Sequence, residues 1–191
     1  SFTKEDIFKA VSAVVYENGK MIENPFKKWS DINSSLPEID IDVLAPPPSS
    51  GTRDAFVELV LHDVCKSEYK MDKKTYKENC SALREDGFVT EVGENDNLII
   101  EKLTDNSERF GIFGFSFLDQ NRDRVQGSFV DGIEPSFDNI ADGSYKVSRP
   151  LYFYVKKEHI GVVPGIEDYT DYFMSLSIEG GPLEDAGLIP N

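Results

Sequence analysis

The sequence predicts an α/β protein, and three observations lead there. Apolar residues alternate at every second position in Ile39-Asp40-Ile41-Asp42-Val43, then recur at every third and fourth position in Phe56, Leu59, Val60 and Val64. The first is a strand period and the second a helical one. Between them, Pro46-Pro47-Pro48 ends the strand, and a helix starts within a few residues. Later, Leu151 to Val155 is an unbroken apolar and aromatic run, the pattern of a strand covered on both faces. Strands and helices in alternation are packed as helices against a sheet.

The elements follow in order. Residues 3–15 predict a helix, with Thr3 as its cap and Asp6 completing an acidic capping box. Phe2 and Ile7 stand at the two positions of a hydrophobic staple. These opening residues read as helix and not as a secretory leader, which leaves the compartment undecided. Residues 39–45 predict a strand, Thr52 to Val64 a helix with one buried face, residues 72–83 a more polar helix, and Asn95 to Leu103 a third. Phe110 to Phe117 predicts an aromatic strand whose glycines mark close backbone packing. Another strand is expected over 124–130, a turn at Asp142-Gly143, and a long strand over Pro150 to Lys156. A helix is expected after Pro164 to Ile178, and a short one near Pro182 that stops at Gly187.

With 191 residues, 39% of them apolar and 12% aromatic, the chain is long and apolar enough for a core. Its formal net charge of −15 opposes a phosphate backbone or an anionic membrane surface, which excludes general nucleic-acid binding. No apolar run approaches the ~20 residues of a spanning helix. Two cysteines, Cys65 and Cys80, and two distant histidines, His62 and His159, give no metal-ligand spacing. From the residues alone, a Cys65–Cys80 bridge and a pair of reduced thiols stand as alternatives.

The segment with chemistry in it is Ser49-Ser50-Gly51-Thr52-Arg53-Asp54, between a strand end and a helix start. Unpaired backbone N–H groups, the positive end of a helix dipole and three hydroxyls suit an anion there, and Gly51 lets it approach. The plain alternative is Ser50 as an N-cap followed by a tight turn. Arg53 is a cation where the dipole disfavours one, and Phe56 and Val57 give it no partner on its own helix. Either a bound oxyanion or an acid from another segment must pair with it. The nucleotide-binding loop of NTPases, the dinucleotide fingerprint and the hydrolase Gly-x-Ser-x-Gly elbow are all missing. His62 is about three helical turns from Ser50, too far to act as its base. The acids Asp86, Glu91, Glu94 and Asp96 match neither a glycosidase pair nor a calcium loop.

These residues, taken in order, resemble the phosphate-binding protein of bacterial phosphate ABC transporters. The matching blocks are Lys28-Trp29-Ser30-Asp31-Ile32-Asn33, Leu36-Pro37 and Ile41-Asp42-Val43, and then Ser50-Gly51-Thr52 with Arg53-Asp54-Ala55-Phe56. Further along come Asn95-Asp96-Asn97, Gly111-Ile112-Phe113-Gly114-Phe115, Asp142-Gly143-Ser144-Tyr145, Ser148-Arg149-Pro150-Leu151 and Gly187-Leu188-Ile189-Pro190. The resemblance implies a two-lobed periplasmic binding-protein fold of type II, a mixed sheet flanked by helices. Residues 1–145 would form the second lobe, and residues 146–191 the crossover strand and closing helices of the first. It implies capture of inorganic phosphate in the periplasm and delivery to a membrane permease, with no cofactor, no metal and no catalysis.

Ser50, Gly51, Thr52 and Arg53 would hold the phosphate. A branch of the family has both cysteines, which implies a Cys65–Cys80 disulfide and suits an oxidising compartment. The chain departs from the family in two ways. Pro46 stands where the family often has an arginine, so the clamp would fall to Arg53 or to a basic residue elsewhere such as Arg84. The N-terminal segment that supplies the facing half of the family's site has no counterpart here. A binding protein for sulfate or molybdate, and a phosphate-using enzyme on a similar lobe, are the rival readings.

Overall fold

The computed structural model describes residues 1–190. Thr3 Oγ1 caps helix α1 (Lys4–Val11) by accepting from the Asp6 N–H, and the Asp6 carboxylate accepts from the Thr3 N–H, so the expected capping box is present. Strands β1 (Val14–Glu17) and β2 (Lys20–Glu23) form an antiparallel hairpin. Its turn is Asn18-Gly19, with positive φ at both residues, the geometry that matches the twist of a hairpin. This hairpin replaces the end of the helix expected over 3–15. A one-turn helix α2 (Trp29–Ile32) follows and buries Trp29, whose rings lie 4.8 Å from Phe2 and 4.6 Å from Phe110.

Strand β3 (Val43–Ala45) is the centre of the main sheet. The chain leaves it through the prolines into α3 (Gly51–Phe56), which runs without a break through a π-helical stretch (Val57–His62) into α4 (Asp63–Ser67). The wider π turn suits the buried pairs Val60-Leu61 and Val64-Cys65, which would not share one narrow α-helical stripe. Helix α5 (Lys73–Asn79) comes next, capped by Asp72. Cys65 and Cys80 form a disulfide that ties α4 to the end of α5, and both are fully buried. Strand β4 (Val89–Glu91) then pairs parallel with one edge of β3. Helix α6 (Asp96–Asp105) carries the chain across to β5 (Phe110–Gly111), parallel with the other edge.

Alternate β3 residues serve two cores. Val43 and Ala45 join the larger cluster with Phe8, Val11, Phe56, Val60 and Val64, while Leu44 packs with Val92 and Ile99. The α/β class holds, and parallel and antiparallel pairings fall in separate sheets.

Three expected strands are corrected. The strand over Phe110 to Phe117 stops at Gly111, and Phe115–Gln120 is helix α7. Residues 124–130 make only isolated bridges at Val130, to Phe2 and Ile133. Pro150 to Lys156 is no strand: Leu151, Tyr152 and Tyr154 are 73%, 70% and 90% exposed. A strand needs a partner strand for its backbone groups, and this run pairs with none among the described residues; of its side chains, Phe153 packs edge-on against Phe173. Helix α8 (Phe137–Ala141), a 3-10 turn (Lys157–His159), α9 (Ile166–Ser175) and α10 (Pro182–Asp185) complete the chain. Gly143 and Gly187 have positive φ, in the turn and just past the last helix as expected.

Two outcomes test this packing. A Cβ on Gly111 would lie 2.7 Å from Ile99 Cγ2 and 2.9 Å from Leu103 Cδ1. Gly111→Ala should therefore cost about 1–3 kcal/mol of stability by overpacking, read from urea unfolding. Replacing both cysteines by serine frees a crosslink of sequence separation 15. It should cost about 3 kcal/mol, and a denaturation midpoint unchanged on adding reductant to the parent protein would contradict that.

Candidate anion-binding site

All three parallel strands end at the same edge, and the chain leaves β3 for one neighbour and then crosses to the other. That is a switch point, where loops diverge and a crevice opens. Three loops meet there: Pro46–Ser50 after β3, Val92–Asn95 after β4 and Ile112–Gly114 after β5. They are held together locally. Val92 N–H donates to Ala45 O and Ile112 N–H to Leu44 O, while Ser49 Oγ donates to Glu94 Oε1 at 2.6 Å.

Ser50 is the N-cap of α3, as the plain sequence reading had it, and its Oγ accepts from Thr52 N–H at 3.2 Å. That bond occupies the Thr52 amide. The amides of Gly51 and Arg53 find no acceptor among the described residues, and the Thr52 hydroxyl makes no hydrogen bond either. First-turn N–H groups of this kind are donors awaiting an acceptor.

Arg53 is 8% exposed, and its Nη1 donates both to Pro46 O at 3.0 Å and to Glu91 Oε1 at 3.1 Å. Its partner is therefore an acid from another segment. Arg84 lies elsewhere. It is buried, paired with Asp86 at 2.6 Å, donates to Phe26 O, and stacks over Phe88. Its place is a brace between α1, the loop before α2 and the segment after α5.

Ser50, Gly51 and Thr52 line a cavity of about 2160 Å³, together with Gly114–Ser116 and Lys146–Phe153. The chain has 35 Asp and Glu residues, yet none lines this cavity. Its charged residues are four cations, Arg109, Arg124, Lys146 and Arg149. Only Arg109 has an acid partner, Asp42 at 2.6 Å. Lys146 donates to Gly143 O, Arg124 to Thr104 Oγ1, and Arg149 Nη2 to Gly51 O at 3.1 Å. A cationic wall without lining carboxylates, on an acidic protein, is a place where a bound anion meets no lining charge of its own sign. Nothing local in Ser148-Arg149-Pro150 singles out Arg149 as a neighbour of the loop. A sequence separation of 98 from Gly51 hides that contact.

A profile for the PBP superfamily domain matches residues 1–177. The chain belongs to the PBP superfamily. Similarity extends to the phosphate-binding protein PstS of Staphylococcus haemolyticus (strain JCSC1435), 30% identical over 175 residues, which are 89% of this chain and 48% of that protein. The chain thus spans about half the length of the curated relatives it matches. Among solved structures, the superfamily fold recurs in a possible phosphate binding protein from Planctomyces limnophilus DSM 3776. That match has a TM-score of 0.63 at 20% identity and covers 91% of this chain and 54% of the other. An ABC-type phosphate transport receptor from Vibrio cholerae matches with a TM-score of 0.53 at 18% identity, over 94% of this chain and 58% of the other.

One acid sits behind the cavity wall. Asp96 Oδ2 accepts from the Gly114 N–H at 3.3 Å, and burial pushes its carboxyl above the ordinary aspartate range. The folded state then binds that proton more tightly than the unfolded chain does. Its contribution to stability falls as pH rises through the window between the ordinary and the raised value, and the loss is complete above it. Asp96→Asn keeps an acceptor for Gly114 and removes the charge. It should melt higher than the parent at neutral pH, with the gap closing as the pH falls below the ordinary aspartate range. A gap independent of pH would refute this.

Proposed function

We propose that this chain is the anion-holding part of an extracytoplasmic receptor that binds inorganic phosphate and delivers it to an ABC permease. The observation that supports this best is an acid-free cavity wall that includes Ser50, Gly51 and Thr52 together with four cations, of which Arg149 reaches the loop itself. The 30% identity to a phosphate-binding protein over 89% of the chain supports phosphate as the anion. In this reading the Gly51 and Arg53 amides and the Ser50 and Thr52 hydroxyls donate to phosphate oxygens. The dipole of the long helical segment adds positive potential. No bond is made or broken, so none of these groups needs a shifted pKa.

We further propose the two-part organisation expected from the sequence: residues 1–145 as one lobe, and residues 146–191 as elements that pack with a first lobe. A cavity of about 2160 Å³ is far larger than a phosphate needs. Its mostly apolar walls, and the exposed run Leu151–Tyr154 beside it, suit protein packing instead. The relatives' other half, roughly as long as this chain, would supply that packing and the facing side of the site. Closure of the two lobes over the anion would then be the state a permease reads. Among the described residues no helix is long and apolar enough to cross a membrane.

An anion held from one side keeps water on the other, and water screens the groups that hold it. The 191-residue chain should accordingly bind phosphate at around millimolar Kd, about −4 kcal/mol, in a calorimetric or 31P NMR titration. Sulfate binding as tight as phosphate at each of two pH values would turn the assignment to another oxyanion. Turnover of phosphate esters would turn it to an enzyme.

A further inference from the structure

We propose that Arg149 is the guanidinium of the oxyanion site, exchanging its bond to the Gly51 carbonyl for the bound anion. The assignment rests on the phosphate reading above and adds the residue that supplies its charge. Arg149 Nη2 lies 3.1 Å from Gly51 O and is the heavy atom nearest the open face of Gly51, 4.0 Å from where a Cβ would be. Among the described residues it pairs with no carboxylate within 4.0 Å, in a chain with 35 of them.

A guanidinium resting on a single neutral carbonyl is using one of its five donors. An oxyanion beside it would take two in parallel and add the attraction of an opposite charge, which the single bond to a neutral carbonyl lacks. The other cations are committed or misplaced. Arg53 Nη1 is shared between Pro46 O and Glu91, Arg109 is paired with Asp42, and Lys146 and Arg124 donate to Gly143 and Thr104, away from the loop. Pro46 itself offers no charge. Arg149 also belongs to a different part of the chain from the loop it touches. An anion bridging the two would staple residues 146–149 to the first turn of α3, so ligand binding and the position of the C-terminal segment become one equilibrium.

The test is a 31P NMR titration of the 191-residue chain with sodium phosphate, against sodium chloride at matched ionic strength, with hydrogen exchange on the same samples. Arg149→Gln should raise Kd at least tenfold, and Arg149→Lys should recover part of that loss. Phosphate should slow exchange at Val147, Ser148 and Arg149 in the parent and not in Arg149→Gln. If Arg149→Gln binds like the parent while Thr52→Val weakens binding, the arginine assignment falls and the phosphate reading stands. If Arg149→Gln loosens residues 147–149 without changing Kd, Arg149 is a structural latch only, and the assignment again falls. No phosphate-dependent signal from the folded parent at tens of millimolar overturns both.

Discussion

Val43, Leu44 and Ala45 are withdrawn from water on both faces of the sheet, and their burial dictates where the neighbouring elements go. A strand with parallel neighbours at both edges has its two faces covered by the helices that connect them. Here the helical segment from Gly51 to Ser67 and α1 cover one face, and α6 covers the other. Because β4 and β5 flank β3 on opposite sides, the loops at its carboxyl end part from one another. The crevice at Ser50–Arg53 is a by-product of that topology. The loop there carries no backbone strain: none of Ser50–Arg53 has a positive φ, Ser50 caps α3 and Gly51 presents an open face.

Legibility from sequence tracked how local each cause was. The Thr3–Asp6 box, the helices beginning near Thr52, Asp72 and Asn95, and the turn at Gly143 depend on residues a few positions apart, and all were readable. The Asn18-Gly19 hairpin was readable too, since Asn-Gly between Val14-Val15-Tyr16 and Met21-Ile22 is a strong turn signal, but the helical period before it masked the change. The strands over 124–130 and Pro150 to Lys156 failed for another reason. Their composition favours pairing, and composition cannot say whether a partner strand is present. Likewise the Ser50 cap was legible, whereas the Arg53–Glu91 pair, the Arg84–Asp86 brace and the Arg149–Gly51 contact join distant segments and leave no local trace.

Charge is distributed with a purpose that the net value conceals. A protein with 15 surplus negative charges repels anions as a whole, and its field weakens within a Debye length. Excluding every carboxylate from one wall lets short-range donors act against that background. Arg53 and Glu91 neutralise each other behind the loop, so the positive potential at the loop comes from backbone amides and from the C-terminal segment.

The bare apolar run at Leu151–Val155 also bears on the chain's colloidal behaviour. Five consecutive residues of strand-favouring type, without a charge or a proline, make a template for edge-to-edge association between molecules. Mutual repulsion between copies, each at −15, holds that tendency in check at low ionic strength. Added salt shortens the range of the repulsion and leaves the apolar attraction intact. On this account the tendency of the chain to associate through that run is set by ionic strength, with the net charge as the opposing force.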